Sequence, residues 1–289
     1  MRWPLRLLVV SALLGGCERA GFAAANLPAQ FGNATAARDI AYGREPWQKL
    51  DIYKPKASSK DYTARDVVVF FYGGRWTKGA RADYRFVANA FAQKGFITVI
   101  PDYAKYPQVR FPAFVEDAAK ALAWVHDNIA GHSGNHRRIH VVGHSAGAHI
   151  GALLAADKSY LAAEKKTPSQ VIASFAGLAG PYAFTPDEPD LIDMFGPPAR
   201  FPAMQVPTFI DGREPPMLLL WGAEDVTVKR FNLDKLQASI EAKRGRVRSF
   251  VYPGGNHINI AAALSWINPG GLPVLDDITQ FFSASGAGR

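Results

Sequence analysis

Ser145 lies in Gly143-His144-Ser145-Ala146-Gly147, a G-x-S-x-G spacing between a short β-rich run, Ile139–Val142, and a stretch of small residues. A strand that turns sharply into a helix brings the residues two either side of the serine into near contact. A Cβ there would clash, so both places call for glycine. The turn holds the hydroxyl clear of the chain at a helix N-terminus, whose free N–H groups favour developing negative charge. The chemistry that suits such a joint is attack on a carbonyl carbon. At neutral pH a serine hydroxyl is a weak nucleophile and needs a base, which in turn needs an orienting carboxylate.

Chain order narrows the choice of partners, because in strand–turn–helix sites of this kind the serine precedes the acid and the acid precedes the histidine. Of seven histidines, six (His126, His132, His136, His140, His144 and His149) lie at or before the elbow region. Only His257 follows the later apolar runs, in the glycine-rich Tyr252-Pro253-Gly254-Gly255-Asn256-His257. The acid is expected after the run Met217–Trp221, where Gly222-Ala223-Glu224-Asp225-Val226-Thr227-Val228 offers Glu224 and Asp225. Either would accept from one imidazole nitrogen and leave the other free to take the Ser145 proton. A tetrahedral oxyanion also needs at least two N–H donors. The Ala146 amide at the helix start is one. The Gly74 and Arg75 amides are the others, since Gly73-Gly74 follows a buried strand and lets the backbone approach a substrate.

The elements that must hold these groups are readable from periodicity. Val67–Tyr72 is a continuous β-branched and aromatic run, the mark of a strand buried on both faces. Strand-like runs also cover Asp39–Tyr42, Leu50–Tyr53, Phe96–Ile100, Ile139–Val142, Val171–Phe175, Met217–Trp221 and Val247–Tyr252. Helical stretches lie between them at about Tyr84–Lys94 and Pro112–Ile129, around Leu233, Leu236 and Ile240, and around Val274–Phe281. Such alternation implies an α/β fold: a mostly parallel, doubly wound sheet with helices on both faces. Residues 181–207 carry seven prolines and exclude a long helix, so a cap excursion over about 181–210 is expected at the sheet's carboxyl edge.

Composition bounds the rest. The 289 residues, 48% hydrophobic and 20% charged, suit one globular domain, expected over 38–285. The formal charge of +8 is scattered through helices and loops, which argues against nucleic-acid binding. Arg2 and Arg6 precede the apolar run Leu7–Leu14 and then Gly15-Gly16-Cys17, the pattern of a signal peptide over 1–16. Leu14-Gly15-Gly16-Cys17 resembles the bacterial lipobox, which would make Cys17 a lipidation site and place the protein in the cell envelope. Residues 17–37, rich in Ala, Gly and Asn, then read as a flexible tether. Cys17 is the single cysteine, so no disulfide can form within one chain.

The motifs together resemble the α/β-hydrolase superfamily, in particular its carboxylesterase, acetyl-hydrolase and kynurenine-formamidase branch. They are L-D-I-Y-K-P at Leu50–Pro55, Y-G-G-R-W at Tyr72–Trp76, P-D-Y at Pro101–Tyr103 and F-P-A-F-V-E-D at Phe111–Asp117. G-H-S-A-G at Gly143–Gly147, L-A-G-P-Y at Leu178–Tyr182, W-G-A-E-D-V-T-V at Trp221–Val228 and G-G-N-H at Gly254–His257 complete the set. The resemblance implies Ser145, Asp225 and His257 as the triad, Asp225 being preferred over Glu224 because G-x-x-D-x-x-V is the usual arrangement at that loop. It implies a serine hydrolase that cleaves small-molecule esters through an acyl-enzyme, with no cofactor and no metal. Tyr72, Trp76, Tyr103, His144 and Tyr182 are expected to line the substrate pocket. Two alternatives are an arylformamidase and a catalytically inactive envelope-binding lipoprotein. One departure concerns the family's H-G-G-G, here Tyr72-Gly73-Gly74-Arg75. Tyr72 stands where a histidine braces the loop. Arg75 replaces a glycine and is expected to narrow the site or pair with an acidic group of the substrate.

Overall fold

In the computed structural model, the described residues are 20–28, 34–56 and 64–286. A helix covers residues 20–28 (α1), followed by β1 (Ala34–Ala41), β2 (Lys49–Pro55), β3 (Arg65–Phe71), α2 (Arg85–Gln93) and β4 (Ile97–Pro101). Then come α3 (Ala113–Asn128), β5 (Gly134–His144), α4 (Ala146–Ala156), α5 (Lys158–Ala163), α6 (Pro168–Val171) and β6 (Ser174–Leu178). The remaining elements are α7 (Pro189–Phe195), β7 (Met217–Gly222), α8 (Phe231–Ala242), β8 (Val247–Tyr252), α9 (Asn259–Ala262) and α10 (Val274–Gly286).

The strands form one sheet in the order β1-β2-β4-β3-β5-β6-β7-β8. β1 and β2 pair antiparallel, as do β2 and β4, and every pairing from β4 through β8 is parallel. α3, α4 and α8 pack on one face; α2 and α10 lie on the other, where the turn after α2 meets α10 through the Lys94–Asp276 ion pair and the Phe96–Phe282 contact. The α/β architecture expected from the alternation is therefore present. At its centre, α4 is buried on every side, which its composition permits. Gly151 lets it settle against Phe175 and Val141 of the sheet.

Two local expectations are corrected. The strand expected over Val171–Phe175 begins only at Ser174, because Pro168–Val171 closes a helical turn whose N-cap, Thr167, exchanges hydrogen bonds with Gln170. The stretch expected to be a tether is ordered where it is described. Residues 20–28 are helical, Phe22 meets Tyr84 edge-on at 5.0 Å, and Asn26 bonds the Asp83 carbonyl and the Phe86 amide, each at 2.8 Å. Alanine favours helix, and these tertiary contacts hold it in place. The expected signal over 1–16 and the lipidation site Cys17 lie outside the described residues. Among the described residues no helix is long and apolar enough to cross a membrane.

Candidate active site

The turn between β5 and α4 places Ser145 at φ 54°, ψ −122°, a conformation that a non-glycine residue adopts only under constraint. The constraint is visible. The Ser145 amide donates to the Leu178 carbonyl at 2.9 Å, and its carbonyl accepts from the His149 amide at 3.1 Å. A Cβ on Gly147 would lie 2.0 Å from the Phe71 carbonyl oxygen, and one on Gly143 would lie 2.4 Å from the Gly147 oxygen. The two glycines of the motif are thus demanded by backbone packing.

Ser145, Asp225 and His257 meet above the carboxyl edge of the sheet. The Ser145 hydroxyl donates to His257 Nε2 at 3.0 Å, and His257 Nδ1–H donates to Asp225 Oδ2 at 2.8 Å. Because an ionised carboxylate only accepts, the proton sits on Nδ1 and Nε2 faces the serine as an acceptor. Asp225 is held in turn: its Oδ1 accepts from the Thr227 and Val228 amides, each at 2.9 Å. Burial alone would raise the Asp225 carboxyl, but the bonds from His257 and these amides outweigh it and keep it below the usual carboxylate range. Glu224 is exposed, whereas Asp225 is buried and is the one of the two that meets His257.

The loops that carry acid and histidine are interlaced. The Ala223 amide donates to the Tyr252 carbonyl at 2.9 Å and the Glu224 amide to the Gly255 carbonyl at 2.7 Å. His144, expected in the pocket, is buried instead, and its Nε2–H donates to the His257 carbonyl at 2.9 Å. Burial, then the neighbouring His257, lowers the His144 pKa to about 3, so it remains a neutral brace for the loop.

The 73–78 loop leans against the serine: a Cβ on Gly73 would fall 3.1 Å from Ser145 Cβ. The Thr77 and Lys78 amides both donate to the Gly74 carbonyl at 3.0 Å, and Gly74, Arg75 and Trp76 all have positive φ. Among the described residues, the Gly74 and Arg75 amides donate to no backbone carbonyl.

Three further pocket expectations are corrected. Tyr72, Tyr103 and Tyr182 are fully buried core residues. The Tyr72 hydroxyl donates to Asp102 Oδ1 at 2.7 Å, the Tyr103 hydroxyl to the Tyr72 carbonyl at 2.7 Å, and the two rings stack 4.8 Å apart. Asp102 also takes the Arg81 amide at 2.8 Å and the Arg81 guanidinium, which bonds Asp51 at 2.9 Å. Tyr72 is thus tied through its hydroxyl to Asp102, the carboxylate that also holds Arg81. Tyr182 packs edge-on against Phe175 within the core. Trp76 is 4% exposed beneath the excursion, stacked on Phe184 at 5.5 Å and meeting Phe195 and His149 edge-on at 4.9 and 5.3 Å.

Arg75 was expected to narrow the site or to meet an acidic substrate. Its guanidinium is already paired within the chain, to Glu188 at 2.8 Å and Asp190 at 3.0 Å. Both acids belong to the excursion, at the start of α7. No short-range pattern in the sequence marks this pairing.

Comparison with known proteins agrees with the fold. The family model described as BD-FAE matches residues 50–183, a span that includes Ser145 and the 73–78 loop but stops before Asp225 and His257. The isoprenylcysteine alpha-carbonyl methylesterase of Arabidopsis thaliana is 26% identical over 290 residues, covering 90% of this chain and 64% of that protein. Kynurenine formamidase of Danio rerio is 31% identical over 145 residues, covering 50% of this chain and 44% of its own length. The chain thus spans less than two thirds of either relative. Among solved structures, inhibited esterase B from Lactobacillus rhamnosis superposes with a TM-score of 0.80 at 18% identity, covering 98% of this chain and 96% of that one.

Proposed function

We propose that the chain is a member of the α/β-hydrolase superfamily and, within it, a serine carboxylester hydrolase working through an acyl-enzyme. The observation that carries the reading is the unbroken hydrogen-bond relay Ser145–His257–Asp225, with links of 3.0 and 2.8 Å. In this mechanism Ser145 Oγ attacks the ester carbonyl while its proton passes to His257 Nε2. The Ala146, Gly74 and Arg75 amides hold the oxyanion, and Asp225 stabilises the imidazolium without taking its proton. Collapse of the tetrahedral adduct breaks the carbon–oxygen bond to the alcohol, which leaves with the His257 proton. Water, deprotonated by the same nitrogen, then attacks the acyl-enzyme; the acid is released and Ser145 regains its proton.

The formamidase relative supports a second substrate class, an N-formyl amide, for the same machinery. Assays of the wild type on p-nitrophenyl acetate and on N-formylkynurenine, beside Ser145→Ala, test both. Ester turnover abolished in Ser145→Ala supports the proposal. Preference for the formamide would replace it with the second reading, and turnover unchanged in Ser145→Ala would end both. The Leu14–Cys17 motif supports an envelope address with a lipid on Cys17. Metabolic labelling with an alkynyl fatty acid, lost in Cys17→Ser, is the corresponding test; no label on the wild type would refute it.

A further inference from the structure

We propose that the Arg75 side chain is a positioning group that couples the seat of the excursion to the oxyanion loop; the inference rests on the hydrolytic reading above. Arg75 has two roles in one residue. Its backbone amide is a proposed oxyanion donor, and its guanidinium is tied to Glu188 at 2.8 Å and Asp190 at 3.0 Å, more than a hundred residues away. The backbone at Arg75 is left-handed, φ 54°, and so is that of Trp76 at 58°. For side-chain-bearing residues such a conformation is unfavourable by roughly 1–2 kcal/mol each and persists only where surroundings fix it. Glycine would adopt it freely, so a cation there needs a positional reason.

The surroundings supply one. α7 buries Leu191, Met194 and Phe195, and the Phe195 ring meets that of Trp76, the residue next to Arg75, edge-on at 4.9 Å. Its acidic side meets two arginines. Arg75 holds the first turn, and Arg110 holds Asp193 one turn later at 2.8 Å, with the Tyr106 hydroxyl on the same carboxylate at 2.9 Å. Exposed pairs of this kind add little to global stability, about 0–1 kcal/mol. What they fix is direction. With the guanidinium anchored to α7 and Trp76 pinned beneath the excursion, the Arg75 Cα is held from two sides, and the adjoining Gly74–Arg75 peptide, which carries the Arg75 N–H, cannot turn freely without straining one contact or the other. A shift of that peptide would turn the amide away from the oxyanion, and losing such a donor outright costs about 10²–10³ in rate.

The test is a comparison of Arg75→Gly, Arg75→Lys, Glu188→Gln/Asp190→Asn and the Arg75→Gly/Glu188→Gln/Asp190→Asn combination. Arg75→Gly removes the anchor and relieves the backbone strain together, whereas Glu188→Gln/Asp190→Asn weakens the anchor and leaves the Arg75 side chain in place. The expected result is a kcat lower by about tenfold or more with KM within about twofold, partial recovery in Arg75→Lys, and a combination no worse than Arg75→Gly. Raising NaCl to 1 M should lower wild-type kcat more than that of Arg75→Gly, because these half-exposed charges are screened. Amide exchange over residues 73–77 and 189–195 should quicken in Arg75→Gly. An Arg75→Gly kcat within twofold of the wild type, or losses that simply add, would overturn the proposal. If the wild type turns over no ester, the hydrolytic reading fails. The exchange comparison then decides the anchor alone, and equal protection in wild type and Arg75→Gly refutes it.

Discussion

Replacing Asp225 by asparagine probes the relay with almost no change of shape. Asp225 Oδ1 accepts from two backbone amides, Thr227 and Val228, each at 2.9 Å, while Oδ2 receives His257 Nδ1–H at 2.8 Å. An asparagine must keep its carbonyl oxygen on the two amide donors, since an NH₂ placed there would face N–H groups. Its NH₂ then points at His257 Nδ1, which can bind it only as an acceptor. The imidazole proton is forced to Nε2, so the nitrogen facing Ser145 becomes a donor and cannot receive the hydroxyl proton. The predicted loss in kcat is about 10⁴, or about 5 kcal/mol of transition-state stabilisation. Steady-state hydrolysis of p-nitrophenyl acetate measures it, with Glu224→Gln as the control expected to stay within twofold. A tenth or more of wild-type kcat in Asp225→Asn would refute the tautomer argument, and a large loss in Glu224→Gln would move the acid to its neighbour.

Gly147→Ala should prevent the elbow from closing, because the new Cβ would fall 2.0 Å from a carbonyl oxygen; chemical denaturation should show a loss of at least about 3 kcal/mol, or no folded protein. His149 is buried with Nε2–H donating to the Met204 carbonyl at 2.7 Å, and burial lowers its pKa from 6.5 to about 4. Between those values the unfolded chain binds a proton that the folded chain refuses, so stability is complete above about pH 6.5 and falls on acidification towards 4. Urea midpoints at pH 7 and pH 4.5 should differ less for His149→Gln than for the wild type, the difference being up to about 3 kcal/mol. An identical acid loss in both would discount His149. Tyr72→Phe removes the bond to Asp102 at 2.7 Å and should lower stability by about 1–2 kcal/mol in the same assay; no change would show that Arg81 satisfies Asp102 unaided.

What could be read in the sequence was what is decided locally or by order. The elbow glycines and Ser145 occupy five consecutive positions, and His257 follows from elimination along the chain. The parallel sheet shows as apolar runs such as Val67–Phe71, buried on both faces. Asp225 and Glu224 are adjacent and chemically alike; the motif resemblance prefers Asp225, and in the structure it is Asp225 whose carboxylate accepts from the Thr227 and Val228 amides. The pocket was legible least. Tyr103 and Tyr182 sit in motifs beside the site, but an aromatic ring near a loop can point into the core as readily as out of it, and these are buried. His144 also turned inwards, to the His257 carbonyl. The partners of Arg75 are 113 and 115 residues distant, beyond any periodicity. The order of residues 20–28 was hidden because alanine-rich composition suits a tether and a docked helix equally, and the contacts of Asn26 with Asp83 and Phe86 decide between them.

The central claim is that Ser145 forms a covalent bond to the acyl group during turnover. Acid-quenching the wild type within its first turnovers of p-nitrophenyl butyrate, followed by peptide mass mapping, tests this directly. The account predicts one butyryl group on the peptide containing Ser145, accumulating with the initial burst of nitrophenol and absent from Ser145→Ala. Ester turnover with that peptide unmodified, or a butyryl group carried by a different residue that Ser145→Ala still acquires, would contradict it.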